Sequence, residues 1–367
     1  MATLQHSRQI MFGQQMATGN GAQGGHIPYQ VLSARQDGAR GWSFSTQQVD
    51  NHQPDELCDV KSMTGEYPAV LGVDIGSLRD FRRHITAYLA KKAADRGMVV
   101  TVSWHDNNPV TGQSFYLSKD HGNVLHSIRR ILPGGDHHNN FTRQLDVVAD
   151  WLNHLYDSQG KKIPVIFRPF HEMNGNWFWW GTNSRTQNTA HEYILLYRFV
   201  VEYLRDQKRV HNVLYAYSPG KLHHNSDYMK YYPGDNYVDI LGMDFYYSNN
   251  TSSPPTLTQY LQLVTSYARS KGKLAAMTEI GISDNGIDTQ HTFWTDKVLN
   301  VIKSGHFQHK LAYLLTWQNA CSDSHCALFV PYKGHPAEAD FMKFYHDGIT
   351  VFSSDIPQFY PHISVIG

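Results

Sequence analysis

Short apolar runs alternate with amphipathic segments along the whole chain, and this alternation limits the fold more than any other feature. Eight runs rich in β-branched or aromatic residues end at glycine, proline or polar clusters, which is typical of buried strands. Leu145, Val148, Trp151 and Leu152 share one face of a segment with helical period between two such runs. The runs lie at residues 10–12, 69–73, 98–102, 164–167, 213–216, 238–243, 274–277 and 311–315.

This order of strands and helices predicts an α/β fold, a (β/α)8 TIM barrel, with a doubly wound open sheet as the competing architecture. No linker rich in proline or serine and no repeat divides the sequence, so we expect a single domain over residues 1–367. The polar stretch at about residues 13–67 follows the first run, and we predict it to be a long loop insertion. Its glycine-rich part, residues 19–25, is expected to be an exposed loop.

Charge and cysteine content exclude several classes of function. The 32 lysines and arginines balance the 32 aspartates and glutamates, so we expect no nucleic acid and no membrane as partners. Three cysteines exclude a disulfide-dense scaffold, although Cys321 and Cys326 are close enough to close a small loop. The sequence contains no signal peptide and no run of about 18 apolar residues that would span a membrane.

Polar and aromatic side chains follow six of the eight runs. In a (β/α)8 barrel the active site lies at the C-terminal ends of the strands, and side chains that converge there from separate strands are hard to explain by core packing. After the third to eighth runs these side chains are Trp104, His105, Asn107 and Asn108; His171, Glu172, Asn174 and Trp177; Tyr217 and Ser218; Asp244, Tyr246 and Tyr247; Glu279; and Trp317, Gln318 and Asn319.

Two carboxyl groups, Glu172 and Glu279, follow directly on the fourth and seventh runs. Across a barrel mouth these strand ends face each other, at a separation that can match the about 5–5.5 Å between the carboxyl groups of a retaining glycosidase. One glutamate then acts as nucleophile, and the other as general acid and base with a raised pKa. Taken alone, either glutamate equally suits a structural role, as the partner of an arginine such as Arg168 or as a helix cap.

The aromatic cluster after the fourth run, Trp177, Phe178, Trp179 and Trp180, suits a sugar-binding wall. Neighbouring side chains diverge, so we expect Trp177 to face a ligand and at least one of the others to lie in the core. The pair His171-Glu172 does not begin a zinc-binding HExxH motif, because Gly175 stands in place of the second histidine. We therefore expect no metal site.

The segment RPFHEMNGNWFWWG, followed 107 residues after Glu172 by TEIG, resembles glycoside hydrolase family 26. The segments WHDNNP, YAYSPG, DFYY and LLTWQNA extend the resemblance over nearly the whole chain. That family consists chiefly of endo-β-1,4-mannanases built on a (β/α)8 barrel, with catalytic glutamates on strands four and seven. The resemblance implies that Glu172 is the acid/base and Glu279 the nucleophile.

The resemblance also implies residues that bind the substrate. His171 matches a histidine that organises the two carboxylates, and Trp177 matches the ring on the leaving-group side. His105 and Trp317 match groups around the sugar at the cleavage point.

Three further positions concern the nucleophile and the distal sugar. Tyr246 matches a tyrosine that hydrogen-bonds the nucleophile, and Asp244 matches an acidic residue of the same loop. Gln318 departs from the pattern, because several family members have arginine there to contact a more distal sugar. Glutamine brings no charge and fewer donors, so we expect an endo-type cleft with binding shared evenly between subsites.

Together these features predict a retaining endo-β-1,4-mannanase that hydrolyses mannan, glucomannan or galactomannan without a cofactor. We expect a monomer whose partner is the polysaccharide substrate. Because a polymer cannot cross a membrane, we expect an extracellular enzyme whose signal peptide has been removed from this chain. The alternatives are a β-1,3-1,4-glucanase or β-1,3-xylanase of the same family, or a non-catalytic carbohydrate-binding barrel, which is expected to lack one carboxylate.

Overall fold

The structure is a computed structural model that describes residues 9–22, 29–36, 42–47, 56–76, 82–222, 224–248, 254–283, 286–322 and 325–356. Its strands, in chain order, are β1 (Ile10–Gln15), β2 (Asn20–Gly21), β3 (Tyr29–Gln36), β4 (Trp42–Gln47), β5 (Val70–Asp74), β6 (Val99–Trp104), β7 (Val165–Pro169), β8 (Val213–Tyr217), β9 (Ile240–Tyr247), β10 (Leu274–Ile282), β11 (Tyr313–Thr316), β12 (Ala320–Ser322), β13 (His325–Ala327) and β14 (Thr350–Val351).

The α-helices, in chain order, are α1 (Asp59–Thr64), α2 (Arg82–Asp95), α3 (Ser127–Ile131), α4 (His138–Asn153), α5 (Ala190–Glu202), α6 (Asp227–Lys230), α7 (Pro254–Ser270), α8 (Asn300–Ser304) and α9 (Glu338–Tyr345). A π-helix at Tyr203–Gln207 extends α5, and a second π-helix at Phe293–Leu299 precedes α8. Within the described ranges, none of the helices combines the length and the apolar character that a membrane span requires.

Eight parallel strands form a closed barrel. Going round it, β1, β5, β6, β7, β8, β9, β10 and β11 pair in chain order, and β11 pairs with β1 to close the ring. The short strand β14 adds to β1 outside this ring. Helix α2 contacts β5 and β6, and α7 contacts β9 and β10, as expected for crossover helices. The predicted (β/α)8 barrel is confirmed, and each of the eight predicted runs overlaps one barrel strand.

The two faces of the barrel wall bury two separate apolar clusters. Side chains alternate along a strand, so Met11 and Ile166 belong to one cluster and their neighbours Phe12 and Phe167 to the other. The ring of Phe12 packs edge-on against Trp294 of the helical layer, with centroids 5.5 Å apart, so this cluster lies outside the strands. The cluster with Met11 and Ile166 therefore fills the barrel, and a ligand has access only to its ends.

The segment between β1 and β5 differs from the loop that we predicted at about residues 13–67. Strand β1 continues to Gln15, and the described parts of the segment contain an antiparallel sheet of β2, β3 and β4 and the helix α1. The signal for this sheet is the sequence WSFSTQ of β4, in which aromatic or β-branched residues alternate with small or polar ones. The prediction of a loop was wrong because the polarity of the stretch outweighed this short alternation.

Residues 19–22 are likewise not the exposed loop that their glycines predict. Ala22 is buried, and its backbone N–H donates to Asp59 Oδ2 at 2.8 Å. This bond ties the segment to helix α1. Residues 23–25 of the same prediction lie outside the described ranges.

The hairpin β12–β13 carries the second and third cysteines. Cys326 is disulfide-bonded, and Cys321 is its partner in the register of the hairpin. Cys58, in contrast, is free and buried. The chain enters this hairpin directly after the last barrel strand and leaves it toward the mouth of the barrel.

Candidate active site

A cavity of about 810 Å³ lies at the C-terminal ends of the barrel strands. Residues reach it from separate strands, since His105 follows β6, Glu172 follows β7 and Glu279 lies in β10. Eight of the nine residues that the sequence predicts for the site line this cavity. They are Glu172, Glu279, His105, His171, Trp177, Asp244, Tyr246 and Trp317.

Glu279 is held by one donor on each oxygen of its carboxylate. The guanidinium Nη2 of Arg168, in β7, donates to Oε1. The hydroxyl of Tyr246, in β9, donates to Oε2 at 2.5 Å. Glu279 is almost fully buried, so these two bonds fix its direction at the floor of the cavity. A positive charge and a phenol on the two oxygens suit a carboxylate that works in its ionised form.

Glu172 is positioned by its backbone conformation and by Trp177. Its φ is 55°, in the left-handed region that few residues other than glycine adopt, and its N–H donates to the carbonyl of Ser218 at 2.8 Å. Trp177 Nε1 donates to Oε2 at 2.7 Å. Burial raises the pKa of Glu172 well above its ordinary value, and the charges of Asp244 and Glu279 raise it further. A carboxyl group that keeps its proton is what a general acid requires.

Arg168 joins two strands in an ion-pair network beneath the cavity. It is almost fully buried and donates from Nη1 to Asp244 Oδ2 at 2.7 Å, as well as to Glu279. Burial alone acts to lower the pKa of Arg168, but the two carboxylates outweigh it and raise that pKa. Burial raises the pKa of Asp244 to about 7, although Arg168 acts to lower it. The structural role considered for a strand-end glutamate, a salt bridge to Arg168, is thus present for Glu279 in the cavity itself.

His171 lines the cavity as an uncharged group beside the aromatic wall. Burial lowers its pKa well below the usual value, and the charges of Arg168 and His105 lower it further. Its ring lies edge-on to that of His105 with centroids 4.5 Å apart, and its carbonyl accepts from Trp180 Nε1 at 2.7 Å. The ring of His105 thus packs against the imidazole, and the bond from Trp180 holds the backbone of His171.

Asp74, which the sequence analysis does not identify, orients His105. The distance from His105 Nδ1 to Asp74 Oδ2 is 2.5 Å, and Ser103 Oγ and Gly76 N also donate to this carboxylate. Burial acts to raise the pKa of Asp74, but His105 and these donors outweigh it and lower the pKa. An ionised Asp74 keeps the proton of His105 on Nδ1. Its signal was available, because Asp74 directly follows the second apolar run, as Glu279 follows the seventh.

Three cavity residues have the composition of a metal site. His171, Asp244 and Glu279 each bring a ligand atom within 4.8 Å of the others. Arg168 already places a buried positive charge between the two carboxylates, and a cation would have to displace it. We therefore assign no metal to these residues.

A comparison against known protein families matches most of the chain to one family model. The family model described as Glycosyl hydrolase family 26 matches residues 25–323, which is most of the chain. The chain belongs to glycosyl hydrolase family 26. The resemblance stated from the sequence motifs is thereby confirmed.

Individual proteins and solved structures are also similar to this family 26 chain. A Bifidobacterium adolescentis protein named mannan endo-1,4-beta-mannosidase is 36% identical over 313 residues, or 78% of this chain. The structure of GH26C from Muricauda sp. MAR_2010_75 has a TM-score of 0.80 at 29% identity, covering 97% of this chain and 90% of that one. A Cellulomonas fimi endo-beta-1,4-mannanase double mutant has a TM-score of 0.79 at 33% identity, covering 97% and 75%. The chain spans 30% of the B. adolescentis relative and 49% of one from Caldalkalibacillus mannanilyticus.

The aromatic wall of the family 26 cavity divides as the sequence predicts. Trp177 is exposed and lines the cavity, whereas Trp179 and Trp180 are buried. Phe178 lines the cavity from beneath and stacks on Tyr116, with centroids 5.5 Å apart. The wall thus has a buried base and an exposed indole.

Gln318 is the one predicted residue of the family 26 site that is not among the residues lining the cavity. Its Oε1 accepts a hydrogen bond from Asn20 Nδ2 at 2.8 Å, which joins the end of the eighth barrel strand to β2. Contact between Gln318 and a distal sugar stays a prediction.

Several residues that line the cavity have no counterpart in the sequence analysis of the site. Three of them lie within four residues of the ends of β8, β9 and β10, so a longer window after each run would find them. Tyr116 and Phe329 lie more than ten residues beyond the preceding barrel strand and carry no local signal. The three near the strand ends are Lys221, Ser248 and Ser283.

Replacing Arg168 tests the network beneath the family 26 site. Arg168→Met is expected to lower the free energy of unfolding by about 3–5 kcal/mol, because two buried carboxylates lose their countercharge. Urea unfolding at pH 7 measures this change. Arg205→Met, which removes a surface pair with Asp206, is the matched control and is expected to change stability much less. Equal stability of the two variants would show that the network does not stabilise the fold.

Proposed function

We propose that the chain is a retaining endo-β-1,4-mannanase that hydrolyses internal bonds of mannan, glucomannan or galactomannan. The observation that carries this proposal is the presence of two glutamates with different surroundings in one cavity. Glu172 has a raised pKa. Glu279, in contrast, accepts a hydrogen bond from Arg168 on one carboxylate oxygen and from Tyr246 on the other. Double displacement requires one protonated and one ionised carboxyl group.

The proposed reaction proceeds in two steps. Glu279 attacks the anomeric carbon while Glu172 gives its proton to the glycosidic oxygen, which leaves with the aglycone. Glu172, now a carboxylate, removes a proton from water, and the water oxygen displaces Glu279 from the anomeric carbon. Arg168 keeps its bond to Asp244 while Glu279 is esterified, so a countercharge remains in the buried network. Two inversions return the β configuration.

Support for a mannan substrate comes from the Bifidobacterium adolescentis, Caldalkalibacillus mannanilyticus and Cellulomonas fimi relatives, whose names describe mannan-hydrolysing enzymes. Around the expected cleavage point, the rings of His105 and Trp317 lie edge-on with centroids 5.8 Å apart, which leaves an aromatic face and a polar edge for one sugar. We further propose that the enzyme acts outside the cell, since its polymeric substrate cannot cross a membrane. We also propose that it is a monomer. It uses neither metal nor other cofactor.

Other activities on the same fold remain as rivals, because the fold does not determine the substrate. A β-1,3-1,4-glucanase or a β-1,3-xylanase would use the same pair of glutamates. A non-catalytic carbohydrate-binding barrel is disfavoured, because both Glu172 and Glu279 are present in the cavity.

The substrate assignment predicts release of reducing sugars from mannan, glucomannan and galactomannan, with oligosaccharides as early products. Barley β-glucan and β-1,3-xylan are the comparison substrates. They are expected to release at least about tenfold less reducing sugar, since one mismatched hydroxyl changes the free energy of the transition state by about a few kcal/mol. Proton NMR of the first product is expected to show the β anomer. Preferential cleavage of β-glucan or xylan would contradict the assignment to mannan, and an initial α anomer would contradict retention.

A further inference from the structure

Phe329 brings an aromatic ring into the cavity from the segment that follows hairpin β12–β13. The ring is half-buried and lies edge-on to that of Tyr246, with centroids 6.0 Å apart. Because the hydroxyl of Tyr246 donates to Glu279, Phe329 lies on the nucleophile's side of the cavity. Trp177, which donates to Glu172, lies on the side of the acid/base. The two rings therefore serve different parts of a bound chain.

A glycine in the nucleophile's strand makes room for this ring. A Cβ at Gly281 would lie 2.7 Å from Phe329 Cδ1 and 3.0 Å from Tyr246 Cε1, too close for an ordinary contact. The ring of Phe329 thus rests on the backbone of β10, two residues beyond Glu279. Its place is set by the strand that carries the reacting carboxylate.

The buried side chain of Asn319 fixes the backbone that carries this ring. Its Oδ1 accepts from the N–H groups of Phe329 at 2.8 Å and Val330 at 3.1 Å. Its Nδ2 donates to the carbonyl of Val330 at 3.0 Å and to Asp59 Oδ2 at 2.7 Å. Because the segment is fixed before any ligand binds, little conformational freedom remains to be lost on binding.

Position 318 brings no charge to the cavity, because glutamine is neutral and Gln318 is not among the lining residues. Its Oε1 accepts a hydrogen bond from Asn20 instead. A pyranose ring has an apolar face of C–H groups that packs on an aromatic face. We propose that Phe329 is a specificity-determining residue that packs on the second glycone sugar, the neighbour of the sugar that Glu279 attacks. This inference rests on the proposed glycosidase function and adds a neutral, stacking mode of recognition to it.

Two aryl glycosides with the same leaving group test the inference directly. Dinitrophenyl β-mannobioside places a second glycone sugar at Phe329, and dinitrophenyl β-mannoside does not. In Phe329→Ala, the ratio of kcat/KM for the mannobioside to kcat/KM for the mannoside is expected to fall about tenfold, which is about 1.4 kcal/mol. Phe329→Tyr keeps the ring and is expected to restore the ratio.

Tyr332→Ala is the matched control, because Tyr332 lies in the same segment, contacts His335 with centroids 5.1 Å apart and is not among the residues lining the cavity. Its ratio is expected to equal that of the wild type. An unchanged ratio in Phe329→Ala overturns the inference, whether kcat/KM falls equally on both substrates or on neither. Failure of the wild type to hydrolyse either glycoside would instead refute the proposed mannosidase function, and the inference with it.

Discussion

Glu279→Ala is expected to lower kcat on mannan by at least about 10⁴-fold, because the variant lacks the carboxylate that forms the glycosyl-enzyme. Azide is small enough to enter the space that the carboxylate leaves, and it attacks the anomeric carbon from the same face. Since no second displacement follows, the product is the α-configured glycosyl azide. Incubation with dinitrophenyl β-mannobioside and azide, followed by NMR of the product, measures both the rescue and the configuration.

Glu279→Ala removes one of the two ion-pair partners of Arg168, so folding of the variant must be controlled. Glu279→Gln keeps the shape of the side chain and is expected to be as inactive as Glu279→Ala while retaining a cooperative thermal transition. Glu202→Ala removes an exposed glutamate of α5 that accepts a hydrogen bond from Tyr237, and wild-type kcat is expected there. Full activity in Glu279→Ala would refute the assignment of the nucleophile.

Glu172→Gln is expected to lower kcat on mannan by about 10²–10⁴-fold, the usual contribution of a positioned general acid and base. Dinitrophenolate leaves without a proton, so with dinitrophenyl β-mannobioside the first step survives and the glycosyl-enzyme accumulates as a burst. Azide then attacks this intermediate from the opposite face to Glu279 and gives the β-mannobiosyl azide. Opposite configurations of the azides from the Glu172 and Glu279 variants would therefore distinguish the two roles.

The pH dependence of kcat/KM follows from the raised pKa of Glu172. Burial first, and then the charges of Asp244 and Glu279, favour the protonated form of Glu172. The general acid is thus present below this raised pKa, and activity on mannan falls as the pH rises through it. Glutamine does not titrate, so in Glu172→Gln the basic limb of the profile is expected to disappear. A basic limb that persists unchanged would assign that limb to another group.

Much of the barrel could be predicted from local patterns alone. Successive side chains of a barrel strand lie on opposite faces of the wall, and both faces are buried. Each strand is therefore a continuous apolar run, which is visible in the sequence. Because all the parallel strands end at one mouth of the barrel, their order also identifies Glu172 and Glu279 as facing groups. The insertion after β1 was harder, since the alternation in β4 covers only six residues within a long polar stretch.

The contacts between distant strands could not be predicted in this way. Arg168 lies 76 residues from Asp244 and 111 residues from Glu279, yet it binds both. Which arginine meets which carboxylate depends on the stagger of the strands and on closure between β1 and β11. Neither the stagger nor the closure can be read from the residue types of a single strand.

The sequence by itself therefore determined the eight strands, the barrel and the two glutamates, because these depend on hydrophobic period and on position at a strand end. Only the tertiary structure decided how those glutamates are set apart chemically, with Trp177 beside one and Arg168 and Tyr246 on the other. It also placed Phe329 beside Tyr246, the residue that binds Glu279, from a segment that follows no barrel strand directly. Burial, charge and neighbours in space set these properties, and each arises only when the chain closes on itself.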